Sequence, residues 1–167
     1  MDFSIQHIVF ILLVICTGLS AGLCFTWSNT VTPGIGRLDD LGFLMAFQQM
    51  NRVILNPTFF AVFIGPVALG IINLYLFRTI STGLWWVLLG AVLLYVIGVM
   101  LVTIFGNVPL NEMIDQHNLE TLSVSEITDL RTAFEAQWNR LHLIRTISSV
   151  LSFISLIIIT TQITNKF

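Results

Sequence analysis

Trp138, His142, Arg145 and Ser149 follow one another at spacings of four, three and four residues. On a helix that rhythm places all four on one face. An imidazole beside a guanidinium suggests two kinds of chemistry. His142 would accept a proton, and Arg145 would stabilise a developing negative charge. Gln48, Arg52 and Asn56 recur every four residues and form a second polar stripe. Arg52 would assist Arg145, and the amides of Gln48, Asn51, Asn56, Asn107, Asn111 and Asn139 would orient a polar head group. Glu112 would be a carboxylate partner for Arg145.

These residues must be positioned by a chain made mostly for lipid. Of its 167 residues 56% are hydrophobic and 10% charged, with mean hydropathy +0.91. That excludes disorder and an ordinary soluble domain. Four uncharged apolar runs, about 8–27, 58–77, 84–105 and 143–163, are each long enough or nearly so to cross a hydrocarbon core about 30 Å thick. A four-pass chain alternates sides. The polar elements 29–56 and 107–142 therefore share one face, and they hold eight of the nine acidic residues. The fold class that follows is all-α: an integral membrane four-helix bundle forming a single domain, with an added amphipathic helix and a long extramembrane extension of the last helix.

Along the chain, the first span is expected to end near Trp27 and turn through Ser28, Asn29, Thr32, Pro33 and Gly34. A helix over 37–56 follows, with Asp39 and Asp40 in its first turn near the positive end of the helix dipole. Pro57 opens the second span, which Pro66 should kink. The third span begins at Trp85 and Trp86, an aromatic pair typical of the water–lipid boundary. It is expected to end over 106–109. From Leu110 to Phe167 there is neither Gly nor Pro. Ser123 and Glu126 form a capping-box pattern, from which one helix would run through the last span. Its charges Glu126, Asp129, Arg131, Glu135 and Arg140 are expected to be solvated.

Gly18 and Gly22, with Ser20 and Ala21 beside them, let another helix backbone approach closely. Packing within the chain is one use, and a homo-oligomer seam is the other. The segment before the first run lacks the basic character of a secretory signal, so that run is expected to be retained. Both termini are expected to face the cytoplasm across the plasma (inner) membrane. The Arg78 loop and Lys166 share that side with a single acid, Asp2, and Arg52 and Arg145 are set aside as site residues.

Other chemistries find less support. Net charge is −2, and no basic run would footprint nucleic acid. Cys16 and Cys24 lie about 12 Å apart along one helix and cannot pair. His7 falls on the opposite side from His117 and His142, which leaves no two-His ligand spacing and a poor fit for metal. Haem or metal at His142 is the weaker alternative to a cofactor-free site. No Ser or Cys has a nucleophile's context, and no glycine loop would cradle phosphate.

Three segments carry a family resemblance. They are 47–59 (FQQMNRVILNPTF), 106–111 (GNVPLN) and 138–145 (WNRLHLIR). With the four spans and the length, they resemble the anthrone oxygenase-like family. The resemblance implies a membrane oxygenase or oxidoreductase-like enzyme acting on a lipophilic aromatic molecule, anthrone- or quinone-like, without metal or flavin. It implies site roles for Gln48, Asn51, Asn56, Asn107, Asn111, Trp138, His142 and Arg145. In that chemistry a base such as His142 removes the anthrone's acidic methylene proton, and the carbanion reacts with dioxygen directly. The alternative is a non-catalytic membrane protein that binds a ligand or lipid, or an accessory subunit of a membrane complex. A cofactor-free site makes one spectroscopic prediction. The purified protein should show no Soret band in its visible spectrum, and such a band would overturn the cofactor-free reading.

Overall fold

The computed structural model describes residues 4–164, with side chains through residue 162. Asp2 and Lys166, used in the charge comparison above, lie outside the described residues. Those described are all-α, with no strands among them. Helix α1 covers Ile5–Ile35, α2 Asp40–Ile54, α3 Pro57–Leu76, α4 Thr82–Asp115 and α5 Val124–Thr164. Four of them, α1, α3, α4 and α5, are long and apolar enough to cross a membrane. This is an integral membrane protein by that measure.

Two helices run further than their prolines suggest. The first does not turn after Trp27: α1 passes through a π-helical stretch, Trp27–Val31, and ends only at Ile35. Nor does the third span stop over 106–109. In α4, π-helical stretches cover Val96–Leu101 and Thr103–Asn107, and the helix continues to Asp115. Pro33 and Pro109 each lie two residues beyond a π-helical stretch. The wider turn makes room for a proline ring that would clash in a regular helix. The Thr32 hydroxyl helps in α1 by donating to the Trp27 carbonyl at 3.2 Å. Helix α3 likewise remains helical through Pro66.

Local capping fixes the other ends. Asp39 caps α2 by accepting from the Gly42 amide at 2.8 Å, so this helix starts three residues later than the charge pattern suggests. Asn56 caps α3, its Oδ1 accepting from the Phe59 amide at 3.0 Å ahead of Pro57. The capping box forms at the head of α5. The Ser123 amide donates to Glu126 Oε2 at 2.7 Å, and the Glu126 amide donates back to Ser123 Oγ at 3.4 Å. The Ser123 hydroxyl, donating to Glu126 Oε2 at 2.6 Å, and then the Ser123 amide hold the Glu126 carboxyl below its ordinary range. The 41 residues of α5 extend about 60 Å, roughly twice the hydrocarbon thickness.

The bundle is a ring. Helix α1 packs between α3 and α5, α4 packs between α5 and α3, and α2 lies across the polar end on α5 and the last turns of α4. Small residues set the close approaches. A Cβ on Gly98 would collide with the Ser148 side chain, one on Gly70 would come 2.9 Å from Val92, and one on Gly106 2.9 Å from Leu141. A Cβ on Gly18 would come 2.8 Å from the Phe153 ring, so Gly18 serves packing within the chain, whereas a Cβ on Gly22 would meet nothing within 4 Å. Buried polar groups stitch helices together, as Asn73 Nδ2 does by donating to the Val9 carbonyl at 3.2 Å. Outward faces carry Ile8, Ile11, Leu12, Ile15, Leu19, Ile71 and Ile72, all exposed. That much apolar surface suits lipid rather than water.

A separate aromatic core joins α2 to the first half of α5, with Phe43, Phe47, Phe134 and Trp138 at its centre. Arg131 locks this region, contrary to the expectation that it is merely solvated. Its side chain is only 15% exposed. It pairs with Asp40 at 3.0 Å and Glu135 at 2.8 Å, donates to the carbonyls of Gly36 and Leu38 at 2.9 Å each, and lies 4.4 Å from the centre of the Phe43 ring. The polar connection between α1 and α2 is thereby tied to α5. Arg131→Leu should destabilise the fold by about 2 kcal/mol, because two carbonyls and two carboxylates lose a charged donor. Arg140→Leu, at an exposed position, should be near neutral. Thermal unfolding of the two variants in detergent reads the difference.

Candidate active site

One cavity of about 290 Å³ lies between α3 and α5, toward the end of the bundle that α2 covers. That is near the lower bound of ligand pockets, roughly 300–1,000 Å³. Its walls come from every helix: Cys24 and Trp27 of α1, Phe47 and Asn51 of α2, Phe59, Phe60 and Phe63 of α3, Thr103, Val108 and Asn111 of α4, and Trp138, His142 and Arg145 of α5. Most of that lining is apolar or aromatic, and among the described residues no carboxylate contributes to it.

Among the described residues, Arg145 is the single charged residue of the wall. The carboxylate expected to pair with it, Glu112, is exposed on the outer face and outside the cavity. Arg145 instead donates to two neutral acceptors, Thr103 Oγ1 at 3.1 Å and His142 Nδ1 at 2.7 Å. Its guanidinium carbon lies 5.4 Å from the centre of the Trp138 ring. A guanidinium has five N–H donors, so most remain unspent, and the buried Nε has no partner.

His142 is fixed on all sides. Its Nε2 donates to the Cys24 main-chain carbonyl at 3.1 Å, and its ring stacks on Trp138 at 4.8 Å and 14°. Trp138 is held in turn by its Nε1, which donates to Asn111 Oδ1 at 2.8 Å. Asn111 Nδ2 then donates to Asn51 Oδ1, also at 2.8 Å. The relay ends at Asn51 Nδ2, which has no partner among the described residues. Trp27, whose Nε1 is buried and unpartnered, adds a third unspent donor on a cavity residue.

Of the residues read from sequence, the fold thus brings Asn51, Asn111, Trp138, His142 and Arg145 to one chamber. The others are elsewhere. Gln48 is buried but turns away, donating to the carbonyls of Ile114 and His117 at 3.2 Å each. Arg52 is exposed outside the cavity and pairs with Asp115 at 2.6 Å. Asn56 is committed to capping α3. Asn107 is fully buried and donates to the Trp138 carbonyl at 3.3 Å, pinning α4 to α5. Asn139 is half-buried and contributes nothing to the wall. Asn107 and Asn111 both meet Trp138, the first through its main-chain carbonyl and the second through its indole N–H, but only Asn111 reaches the wall.

Sequence reasoning missed Thr103, Trp27 and the Cys24 carbonyl. Thr103 precedes Asn107 by one turn, but taking 106–109 as a helix end hid the stripe it belongs to. Trp27, at the end of an apolar run, has the residue type of a span boundary, and a main-chain carbonyl leaves no signal in residue type. Among the described residues no group of three or more His, Cys, Asp or Glu is placed to hold a metal ion. A haem iron at His142 would have to displace either the Arg145 contact or the Cys24 contact.

Comparison with curated proteins and with solved structures finds no match. Residues 58–155, more than half of the chain, match the family described as anthrone oxygenase. That segment supplies Thr103, Asn111, Trp138, His142 and Arg145, while Cys24, Trp27 and Asn51 come from outside it. The chain belongs to the anthrone oxygenase family.

Proposed function

We propose that this chain is a membrane-embedded oxygenase acting on a planar, lipophilic, enolisable aromatic ketone of the anthrone class. One observation carries the reading: a guanidinium with unspent N–H donors, and no carboxylate to neutralise it, in the wall of an apolar chamber. A buried cation is costly without a counter-charge. A ligand that brings its own negative oxygen supplies one. An apolar aromatic body would fill the rest of the chamber against Phe47, Phe59, Phe63 and Trp27.

The chemistry follows from that charge. An anthrone loses a methylene proton to water and becomes an enolate, with its oxygen on Arg145 and high electron density on the ring carbon opposite. That carbon gives electrons to dioxygen, and a C–O bond forms to a peroxide. The remaining C–H proton then leaves, the O–O bond breaks, and hydroxide departs, so that ketone plus O₂ yields quinone plus water. Arg145 and the donor on Asn51 stabilise the oxygen-centred charge, which is the role of a preorganised oxyanion site. The polar elements around α2 and the head of α5 would stand at the aqueous face outside, with the termini cytoplasmic and the chamber at the membrane rim. The lipid bilayer and a lipophilic small molecule are the partners this arrangement serves.

Oxygen uptake by proteoliposomes given 1,8-dihydroxyanthrone tests the reading, after subtraction of the uncatalysed rate. Arg145→Leu should lose about 100-fold in rate, as oxyanion donors do, and Arg145→Lys should recover part of it. Equal rates for parent and Arg145→Leu, at matched thermal stability, would remove Arg145 from the chemistry. Anaerobic binding of the probe without any uptake by the parent would assign the chamber to a non-catalytic ligand-binding protein.

A further inference from the structure

We infer that His142 is the positioning residue that aims Arg145 into the chamber, rather than the base that takes the substrate's proton. The inference rests on the oxyanion reading above and deepens it. A main-chain carbonyl can only accept, so the 3.1 Å contact between His142 Nε2 and the Cys24 carbonyl puts the ring hydrogen on Nε2. In the neutral ring that leaves the lone pair on Nδ1. Arg145 Nη2 lies 2.7 Å from Nδ1 and can only donate. The lone pair a base would need is therefore already spent on the guanidinium.

The surroundings hold this arrangement. Thr146 Oγ1 has a single hydrogen and lies 2.9 Å from the His142 carbonyl and 3.3 Å from the Cys24 carbonyl, so it packs beside both ends of this contact. Stacking on Trp138 removes freedom about the ring's side-chain torsions. A rigid ring with one fixed tautomer then acts as a bracket for Arg145. Thr103 provides the second bracket, since it donates to the Val99 carbonyl at 2.7 Å and presents its lone pair to Nη1. Neutral brackets have a consequence that a carboxylate would not. They orient the guanidinium without cancelling its charge, so the charge stays available to a ligand. Among the described residues, the titratable groups of the wall are Cys24, His142 and Arg145, with no acid to compete.

Substitutions at one position separate the two roles. The amide oxygen of His142→Asn overlies Nδ1 and can accept from Arg145, but it cannot serve as a base near neutral pH. His142→Leu offers no acceptor. If His142 positions Arg145, the Asn variant keeps kcat within about threefold of the parent with an unchanged pH profile. The Leu variant raises KM for 1,8-dihydroxyanthrone about tenfold or more, as loss of an orienting partner does. Binding of anthracene, which has no acceptor oxygen, stays the same in both. Thr103→Val, which removes the other bracket without touching His142, should raise KM in the same direction.

An Asn variant that binds the probe but turns over as poorly as the Leu variant would overturn the inference in favour of a base. Weakened anthracene binding by the Leu variant would overturn it in favour of simple packing. If the parent shows no uptake, the oxygenase reading falls. Anaerobic binding of 1,8-dihydroxyanthrone by the Asn and Leu variants still decides the positioning role, with retained affinity in the first and lost affinity in the second supporting it.

Discussion

A guanidinium held among apolar side chains by neutral acceptors alone sets the character of this molecule. Arg145 could have been paired with a carboxylate, and such a pair would be self-contained. Instead Thr103 and His142 satisfy its direction and leave its charge unspent. In an apolar medium an unneutralised cation exerts a far stronger field than in water. The surrounding architecture bears that cost by being overdetermined around the site. Trp138, Asn111 and Asn51 form a relay on one side, and the Cys24 carbonyl anchors the other. Each member is fixed by the next, so the charge has one direction.

The helices that carry these groups are deformed where the groups sit. The π-helical stretches of α1 and α4 border the chamber, at Trp27 and at Thr103. Such turns are frequent at functional sites because they change which residues share a face. Here they also accommodate Pro33 and Pro109, so the chain gains two long unbroken helices. Glycines complete the geometry. Gly98 against Ser148 and Gly106 against Leu141 draw α4 onto α5, which brings Thr103 within reach of Arg145.

The polar end has its own organising cation. Arg131 gathers two carboxylates, two carbonyls and the Phe43 ring. Apart from Glu135 on its own helix, its partners lie on α2 and on the connection that leads into it. Since α2 supplies Phe47 and Asn51 to the wall, the clamp on α5 helps set the cover of the chamber. Two of the arginines of α5, Arg131 and Arg145, thus contrast in physical terms. Arg131 is neutralised and structural, and Arg145 is unneutralised and faces the site.

Much of this was legible in the residues themselves. Four apolar runs fixed an all-α chain with four helices fit to cross a membrane, because a backbone without water must bond within its own helix. The Ser123–Glu126 box marked the head of α5, since its two residues bond locally. The rhythm of Trp138, His142 and Arg145 placed three wall residues on one face, because a regular helix preserves spacing. What the residues could not reveal depended on partners distant in sequence. Regular spacing put Gln48 with Arg52, but Gln48 is buried on carbonyls at the end of α4 and beyond it while Arg52 is exposed on Asp115, and Asn107 is spent on the Trp138 carbonyl instead of the wall. Whether Arg145 meets a carboxylate was settled only when α4 presented Thr103 and left Glu112 outside. Which nitrogen of His142 holds its hydrogen depended on a main-chain carbonyl of α1, 118 residues away. Composition and periodicity act within one element, and so the sequence determined the helices; the direction of each polar group is decided by what another helix places opposite it, and only the tertiary structure supplies that.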